Sequence, residues 1–154
     1  MRSVSILLLG FIEFLSFSSA FSIAVKCPPG YEKHRDRCYT LLMLPLSQPE
    51  ALVHCWRHWT KENVATLASI HDEETNEMIK RISLGKPVFI GLVKTIPEGF
   101  EWADRSQPKF VGFRGPVDRE DKDKHCVQAQ NGVWTMVHCD EKLQAVCMIR
   151  ARGS

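Results

Sequence analysis

Two stretches of the chain place apolar residues at helical intervals. Between residues 47 and 59 the apolar positions recur every three or four residues, which predicts a helix with one buried face. Ser47 suits the N-cap of this helix because Glu50 stands three residues further on, the spacing of a capping box. A second helix is predicted after Asp72, another good N-cap residue, and it ends before Gly85.

The other apolar stretches have the character of β-strands. Residues 38–44 predict a short strand that Pro45 ends, and residues 88–92 form the continuous apolar run of a buried central strand. Further strand patterns follow near the C-terminus, where Asn131-Gly132 is the strongest signal for a hairpin turn. Two early helices followed by short antiparallel strands predict a single domain of the α+β class.

The N-terminus has the pattern of a secretory signal peptide. Arg2 gives a positive start, residues 4–17 are apolar apart from Glu13, and small residues precede the expected cleavage bond. An anchoring helix is the alternative, but about 14 apolar residues are short for a bilayer span, which needs about 20. We therefore expect residues 1–20 to be removed, and residues 21–154 to form one secreted domain without a membrane span.

Composition excludes several classes of function. Apolar residues make up 44% and charged residues 25% of the 154, which are ordinary globular values, so the chain is not a disordered one. The 20 Lys and Arg against 18 Asp and Glu give a net charge of +2, which provides no electrostatic basis for binding nucleic acid. No glycine-rich phosphate loop or Gly-x-Ser-x-Gly motif occurs, so we expect neither an enzyme nor a cofactor.

Six cysteines lie in the predicted mature chain, and an even number in a secreted protein indicates three disulfides. They are Cys27, Cys38, Cys55, Cys126, Cys139 and Cys147. Their spacing does not suit a zinc finger, which needs pairs separated by about two to four residues. Six cysteines allow about 15 pairings, so the count leaves the connectivity open.

The first helix carries two pairs of side chains that could serve a site. His54 and His58 stand four residues apart and could share a zinc ion, but no third ligand is evident, so we favour surface histidines. Trp56 and Trp59 either pack on the core or form an exposed aromatic patch for a partner. We favour packing for the two tryptophans.

A series of short motifs spans residues 27–148 in an order that a known family shares. They are Cys27-Pro28-Pro29-Gly30-Tyr31 with Cys38-Tyr39, Ser47-x3-Ala51-x3-Cys55, Leu67-Ala68-Ser69-Ile70-His71, Phe89-Ile90-Gly91-Leu92, Phe100-x-Trp102-x-Asp104, and Cys126-Val127 with Gly132-x-Trp134-x4-Cys139-x7-Cys147. In this order the motifs resemble the long form of the C-type lectin-like domain. The resemblance implies two helices, antiparallel sheets, a long loop and the disulfides Cys27–Cys38, Cys55–Cys147 and Cys126–Cys139.

The resemblance also implies where a calcium-dependent sugar site would lie. Sugar-binding members hold calcium with Glu-Pro-Asn or Gln-Pro-Asp in the long loop, an Asn-Asp pair after the strand tryptophan, and a nearby Glu, because calcium requires about six to eight oxygens. Here the matching positions are Gly115-Pro116-Val117, Thr135-Met136 and Lys124, which have none of those ligands. Acids within residues 118–123 could offer a substitute, but interleaved Arg and Lys favour a solvated loop. We therefore expect no metal here.

The long loop, residues 103–125, is the predicted binding surface. We predict a calcium-independent recognition protein that binds an extracellular protein or another non-classical ligand. The predicted contacts are Phe110, Phe113, Arg114 and Pro116, since aromatic residues and Arg dominate many interfaces. The resemblance also allows Phe113 to anchor the loop instead. A carbohydrate-binding lectin with a divergent site is the main alternative, and a structural or inhibitory role is a third.

Overall fold

Two helices and eight strands follow one another in a computed structural model, which describes residues 26–95, 99–115, 117 and 122–151. In chain order they are β1 (Glu32–His34), β2 (Arg37–Leu46), α1 (Gln48–Trp56), β3 (Asn63–Leu67), α2 (Glu73–Ile82), β4 (Val88–Thr95), β5 (Gly99–Trp102), β6 (Cys126–Gln130), β7 (Val133–Val137) and β8 (Leu143–Ala151). The predicted α+β class is confirmed. The predicted signal peptide lies outside the described residues.

The strands are joined in the order β1-β2-β8-β4-β6-β7, with β3 beside β8 and β5 beside β4. β8 pairs with β2 along one edge and with β3 and β4 along the other, so it is the central strand of the fold. Between the strands named here, every pairing is antiparallel except that of β4 with β8. The predicted antiparallel arrangement is thus confirmed, with this one parallel contact added to it.

Both helices begin at the predicted caps. The Ser47 N–H donates to Glu50 Oε2 at 2.8 Å, and Asp72 Oδ1 accepts from the Thr75 N–H at 2.8 Å. After α2 the chain turns through Gly85, whose φ is +70°. A Cβ at this position would lie 2.2 Å from Asn131 Oδ1, the end of an exposed side chain that can move away, so the turn favours glycine chiefly for its conformation.

The predicted end of β2 at Pro45 is wrong, and the sequence pattern did not indicate β3. β2 continues through Pro45 to Leu46, because its register with β8 shifts after Leu42 and resumes at Leu46. The proline lies in this irregular part, where it need not donate a ladder hydrogen bond. Residues 63–67 form β3, although they lack the alternation that would have predicted it.

Three disulfides fasten the elements together. They join Cys27 to Cys38, Cys55 to Cys147 and Cys126 to Cys139, the pairs that the resemblance implies. Cys55 and Cys147 are separated by 92 residues and are buried, so their bond ties α1 to the central strand β8. The other two bonds close short loops, because their cysteines are separated by only 11 residues in Cys27–Cys38 and 13 residues in Cys126–Cys139.

Trp56 and Trp59 are exposed, at 50% and 57% of their surface. α1 buries Ala51 and Cys55 but ends at Trp56, so the two tryptophans lie at and beyond the end of the helix. The preference for core packing is therefore wrong for both side chains.

Buried tryptophans connect the core to the predicted binding loop. Trp102 and Trp134 are 1% and 2% exposed and meet edge to face, with ring centroids 5.6 Å apart. Trp134 Nε1 donates to Asn76 Oδ1 at 3.0 Å, and Asn76 Nδ2 donates to the Gly132 carbonyl at 2.8 Å. Through these bonds α2 fixes the β6–β7 hairpin, on which the long loop rests.

Candidate functional site

The long loop packs directly on Trp134 of β7. The Trp134 N–H donates to the Gly112 carbonyl at 2.9 Å, and Phe113 forms an isolated parallel bridge with Trp134. A Cβ at Gly112 would lie 2.4 Å from the Trp134 ring, so only glycine allows this approach. The contact sets the position of the neighbouring loop residues.

Phe110 and Phe113, two of the predicted contact residues, are partly buried beside the core. Their ring centroids lie 5.6 and 5.7 Å from that of Trp134, and Phe113 also lies 5.3 Å from Phe100. Such edge-to-face and tilted ring pairs stabilise the loop beyond simple area burial. The two phenylalanines therefore act as anchors of the loop, and a role in ligand binding stays a prediction.

Arg114 is exposed next to these anchors and lines a cleft of about 190 Å³. We call it the long-loop cleft; its described lining residues are Phe113, Arg114, Gly115, Val117, Lys124, Trp134, Thr135 and Met136. Pro116, the remaining predicted contact, lies outside the described residues. The cleft brings together the described positions at which the resemblance places calcium ligands.

The described lining of the long-loop cleft suits an anion better than a cation. Arg114 and Lys124 contribute positive charge, and Thr135 contributes a hydroxyl that accepts a hydrogen bond from Gln128 Nε2 at 3.0 Å. Among the lining residues that the structure describes, none carries a carboxylate or a side-chain amide. This part of the cleft therefore lacks the side-chain ligands that calcium requires.

A second cleft, of about 410 Å³, lies between the β1–β2 hairpin, the start of α2 and residues 106–109. We call it the hairpin cleft. Charged side chains, including Arg37, Asp72 and Lys109, line it, and it shares no described lining residue with the long-loop cleft. It is thus a separate polar concavity.

A buried polar network adjoins the hairpin cleft. Asp104, only 7% exposed, accepts hydrogen bonds from Ser69 Oγ at 2.8 Å and from the Ser106 N–H at 3.0 Å. Burial raises the pKa of Asp104, but the hydrogen bonds from Ser106 and Ser69 and the charge of Arg150 outweigh it, so the pKa lies below its ordinary value. The carboxylate is therefore held in its charged form.

His71 is joined to this network from the side of α2. Its Nε2 lies 3.0 Å from Ser106 Oγ, and its ring meets Trp102 edge to face at 5.8 Å. Burial, together with the positive charge of nearby Arg37, lowers the pKa of His71 and favours the neutral ring. The network thus links the hairpin cleft to the aromatic core.

Sequence reasoning named Asp104 only as the end of a family motif and did not predict the network. Its members lie between residues 69 and 150, and no periodic pattern connects them. The one available signal was an acidic residue two positions after a strand tryptophan, Trp102.

In the part of the chain that the structure describes, no helix has the length and apolar character needed to cross a membrane.

Most of the chain is similar in sequence to a protein family and to individual proteins. The family model described as the Lectin C-type domain matches residues 46–149. Regenerating islet-derived protein 3-alpha of Mus musculus is 25% identical over 135 residues, which cover 80% of this chain and 77% of that protein. Lactose-binding lectin l-2 of Anguilla japonica is 26% identical over 137 residues, which cover 80% of this chain and 78% of that protein.

Solved structures have the same fold. The C-type lectin CEL-I from Cucumaria echinata superposes with a TM-score of 0.75 at 19% identity, covering 83% of this chain and all of that one (100%). A calcium-independent type II antifreeze protein superposes with a TM-score of 0.73 at 23% identity, covering 84% and 98% of the two chains. Because the matching family model covers more than half of the residues, the chain belongs to the C-type lectin-like family, whose fold is a non-enzymatic binding domain.

Proposed function

We propose that this protein is a secreted recognition protein that binds an extracellular protein through the long-loop cleft, without calcium. The chemistry of the cleft is the observation that carries the proposal. Where calcium-dependent members of the family need acidic and amide oxygens, the described lining offers Arg114, Lys124 and the Thr135 hydroxyl. The exposed Arg114 guanidinium in this small cleft repels a calcium ion and attracts an acidic group on a partner.

The conformation of the loop favours protein recognition. Val111 is 64% exposed and Arg114 is also exposed. The residues before them, Phe110 and Phe113, pack against the core. Anchoring of this kind reduces the conformational entropy lost on binding, because the contact residues are already positioned in the free protein. Pro116 is included in the proposed contact surface on the basis of the sequence.

Two further observations support the calcium-independent and extracellular parts of the proposal. The fold neighbour described as a calcium-independent antifreeze protein indicates that this architecture is used without calcium in that protein. Three disulfides and a predicted signal peptide are typical of proteins that fold in an oxidising, secretory compartment.

Calcium independence can be tested directly by thermal melting of the mature protein. A ligand that binds only the folded state raises the melting temperature, so 5 mM CaCl2, a test concentration roughly in the range of weak extracellular sites, reveals binding. We expect melting temperatures in CaCl2 and in EDTA to agree within about 1 °C. A rise of several degrees in CaCl2 would refute calcium independence.

The partner can be sought with biotinylated protein in the extracellular fluid of the source tissue, with and without EDTA. A captured partner is then titrated against wild type, Arg114→Ala and Arg57→Ala. Arg57 is an exposed arginine at the C-cap of α1 and serves as the matched control. We expect Arg114→Ala to weaken binding about 5- to 30-fold, as for an interface arginine, with Arg57→Ala unchanged. Equal affinities for the two variants, or capture that EDTA abolishes, would contradict the proposal.

A lectin with a divergent site is the alternative function, and the lactose-binding lectin among the relatives favours testing it. A glycan array probed with and without EDTA separates the possibilities. Sugar binding that resists EDTA and is lost in Arg114→Ala supports the alternative. If the proposal is correct, no glycan should compete with the captured protein for binding.

A further inference from the structure

Three side chains with metal-binding atoms meet at the hairpin cleft. A ring nitrogen of His34 and carboxylate oxygens of Asp72 and Glu74 all lie within 4.8 Å of one another. They come from two elements. His34 ends β1, whereas Asp72 caps α2 and Glu74 lies in the first turn of that helix. Asp72 caps α2 through Oδ1, which leaves Oδ2 for another partner, and neither helix capping nor strand pairing requires an imidazole at this point.

The position between the carboxylates already attracts a positive charge. The Arg35 guanidinium donates to Asp72 Oδ2 at 2.5 Å and also to Glu74. This arginine stands in the hairpin turn with φ +55°, and its side chain is 53% exposed. Ion pairs at such exposed positions contribute little stability, so the guanidinium can leave when a more strongly bound cation arrives.

Arg35 provides a partner for the carboxylates of Asp72 and Glu74 but not for His34. His34 Nε2 is buried, and it has no hydrogen-bond partner among the residues that the structure describes. An unpaired buried nitrogen is unfavourable, because it loses its bond to water without a replacement. The ring itself is held in place by an edge contact with Tyr39, at 6.3 Å between centroids.

We propose that His34, Asp72 and Glu74 form a binding site for a divalent transition metal of the zinc class, in which the metal replaces the Arg35 guanidinium. One imidazole and two carboxylates suit zinc, whereas calcium prefers oxygen ligands alone. His34 and Asp72 both line the hairpin cleft, so water or a group from a partner can complete the coordination from that side.

Calorimetric titration of the mature, disulfide-bonded protein with ZnCl2 tests this site. We expect one zinc ion per chain, with binding weakened at least tenfold in His34→Ala and in Glu74→Gln. Arg35→Ala removes the competing cation, so we expect it to bind zinc about five- to tenfold more tightly than wild type. An unchanged melting temperature of Arg35→Ala shows that a gain of affinity comes from the site and not from misfolding, so this variant tests the site even if His34→Ala is unstable.

Two matched controls exclude adventitious binding. Glu73→Gln removes a neighbouring exposed carboxylate that is outside the cluster, and His54→Ala removes a histidine of α1 that is also outside it. Both should bind zinc as the wild type does. Unchanged affinity in His34→Ala, loss of binding in His54→Ala, or no gain in Arg35→Ala would each overturn the proposal.

Discussion

Loss of the Cys55–Cys147 disulfide should destabilise the domain more than loss of either other bond. The reason is the length of chain that each bond closes, with sequence separations of 92, 11 and 13 residues for Cys55–Cys147, Cys27–Cys38 and Cys126–Cys139. In the loop-entropy model these lengths correspond to about 4.6, 2.8 and 2.9 kcal/mol at 25 °C. Burial acts in the same direction, since Cys55 and Cys147 are 0% and 1% exposed and alanine leaves a void in the core.

The measurement is a comparison of three paired Cys→Ala variants by thermal melting at one pH and one protein concentration. For a domain of roughly 130 residues, about 1 kcal/mol shifts the melting temperature by about 4 °C. We therefore expect a fall of about 18 °C for the Cys55/Cys147 variant and about 11 °C for each of the others. If the three variants melted within about 3 °C of one another, loop closure would not be the dominant effect.

Three further substitutions test other parts of the fold. Asn76→Ala leaves the buried Trp134 Nε1 unpaired and should cost about 2–4 kcal/mol in urea unfolding; a cost below about 1 kcal/mol would contradict the role given to this bond. Gly91→Ala places a Cβ 2.8 Å from a backbone carbonyl of β3 and should cost about 1–3 kcal/mol, whereas Gly99→Ala, which meets only the Thr95 hydroxyl at 3.2 Å, should cost much less. Because the folded-state pKa of Asp104 is lowered, its contribution to stability is present above about pH 4 and is lost as the pH falls. Asp104→Asn should therefore lower the melting temperature at pH 7, and this difference should shrink as the pH falls below about 4; a difference that stays constant as the pH falls would refute this.

Features that depend on neighbouring residues could be predicted from the sequence. The caps of both helices use hydrogen bonds over three residues, from Ser47 to Glu50 and from Asp72 to Thr75. The Asn131-Gly132 turn likewise needs only two residues with positive φ, at 50° and 76°. In such cases residue type and spacing already contain the physical cause.

Features that depend on distant contacts could not be predicted in this way. Helical periodicity places Trp56 and Trp59 on an apolar face, but it does not show that the helix ends at Trp56 and leaves both rings exposed. The partners of His34 lie about 40 residues away and become neighbours only when the hairpin folds against α2. Likewise, Phe110 and Phe113 were predicted as contacts, but their packing against Trp134 depends on the folded core and could not be seen in the sequence.

The central place of β8 has a consequence for how the protein is made. This strand is the last of the domain to leave the ribosome, yet β2, β3 and β4 all pair with it. Until Leu143 and the residues after it emerge, three partner strands have open edges, which are the surfaces that promote aggregation of nascent chains. A premature stop codon before Leu143 should therefore yield an insoluble product, and not a shorter domain that still folds.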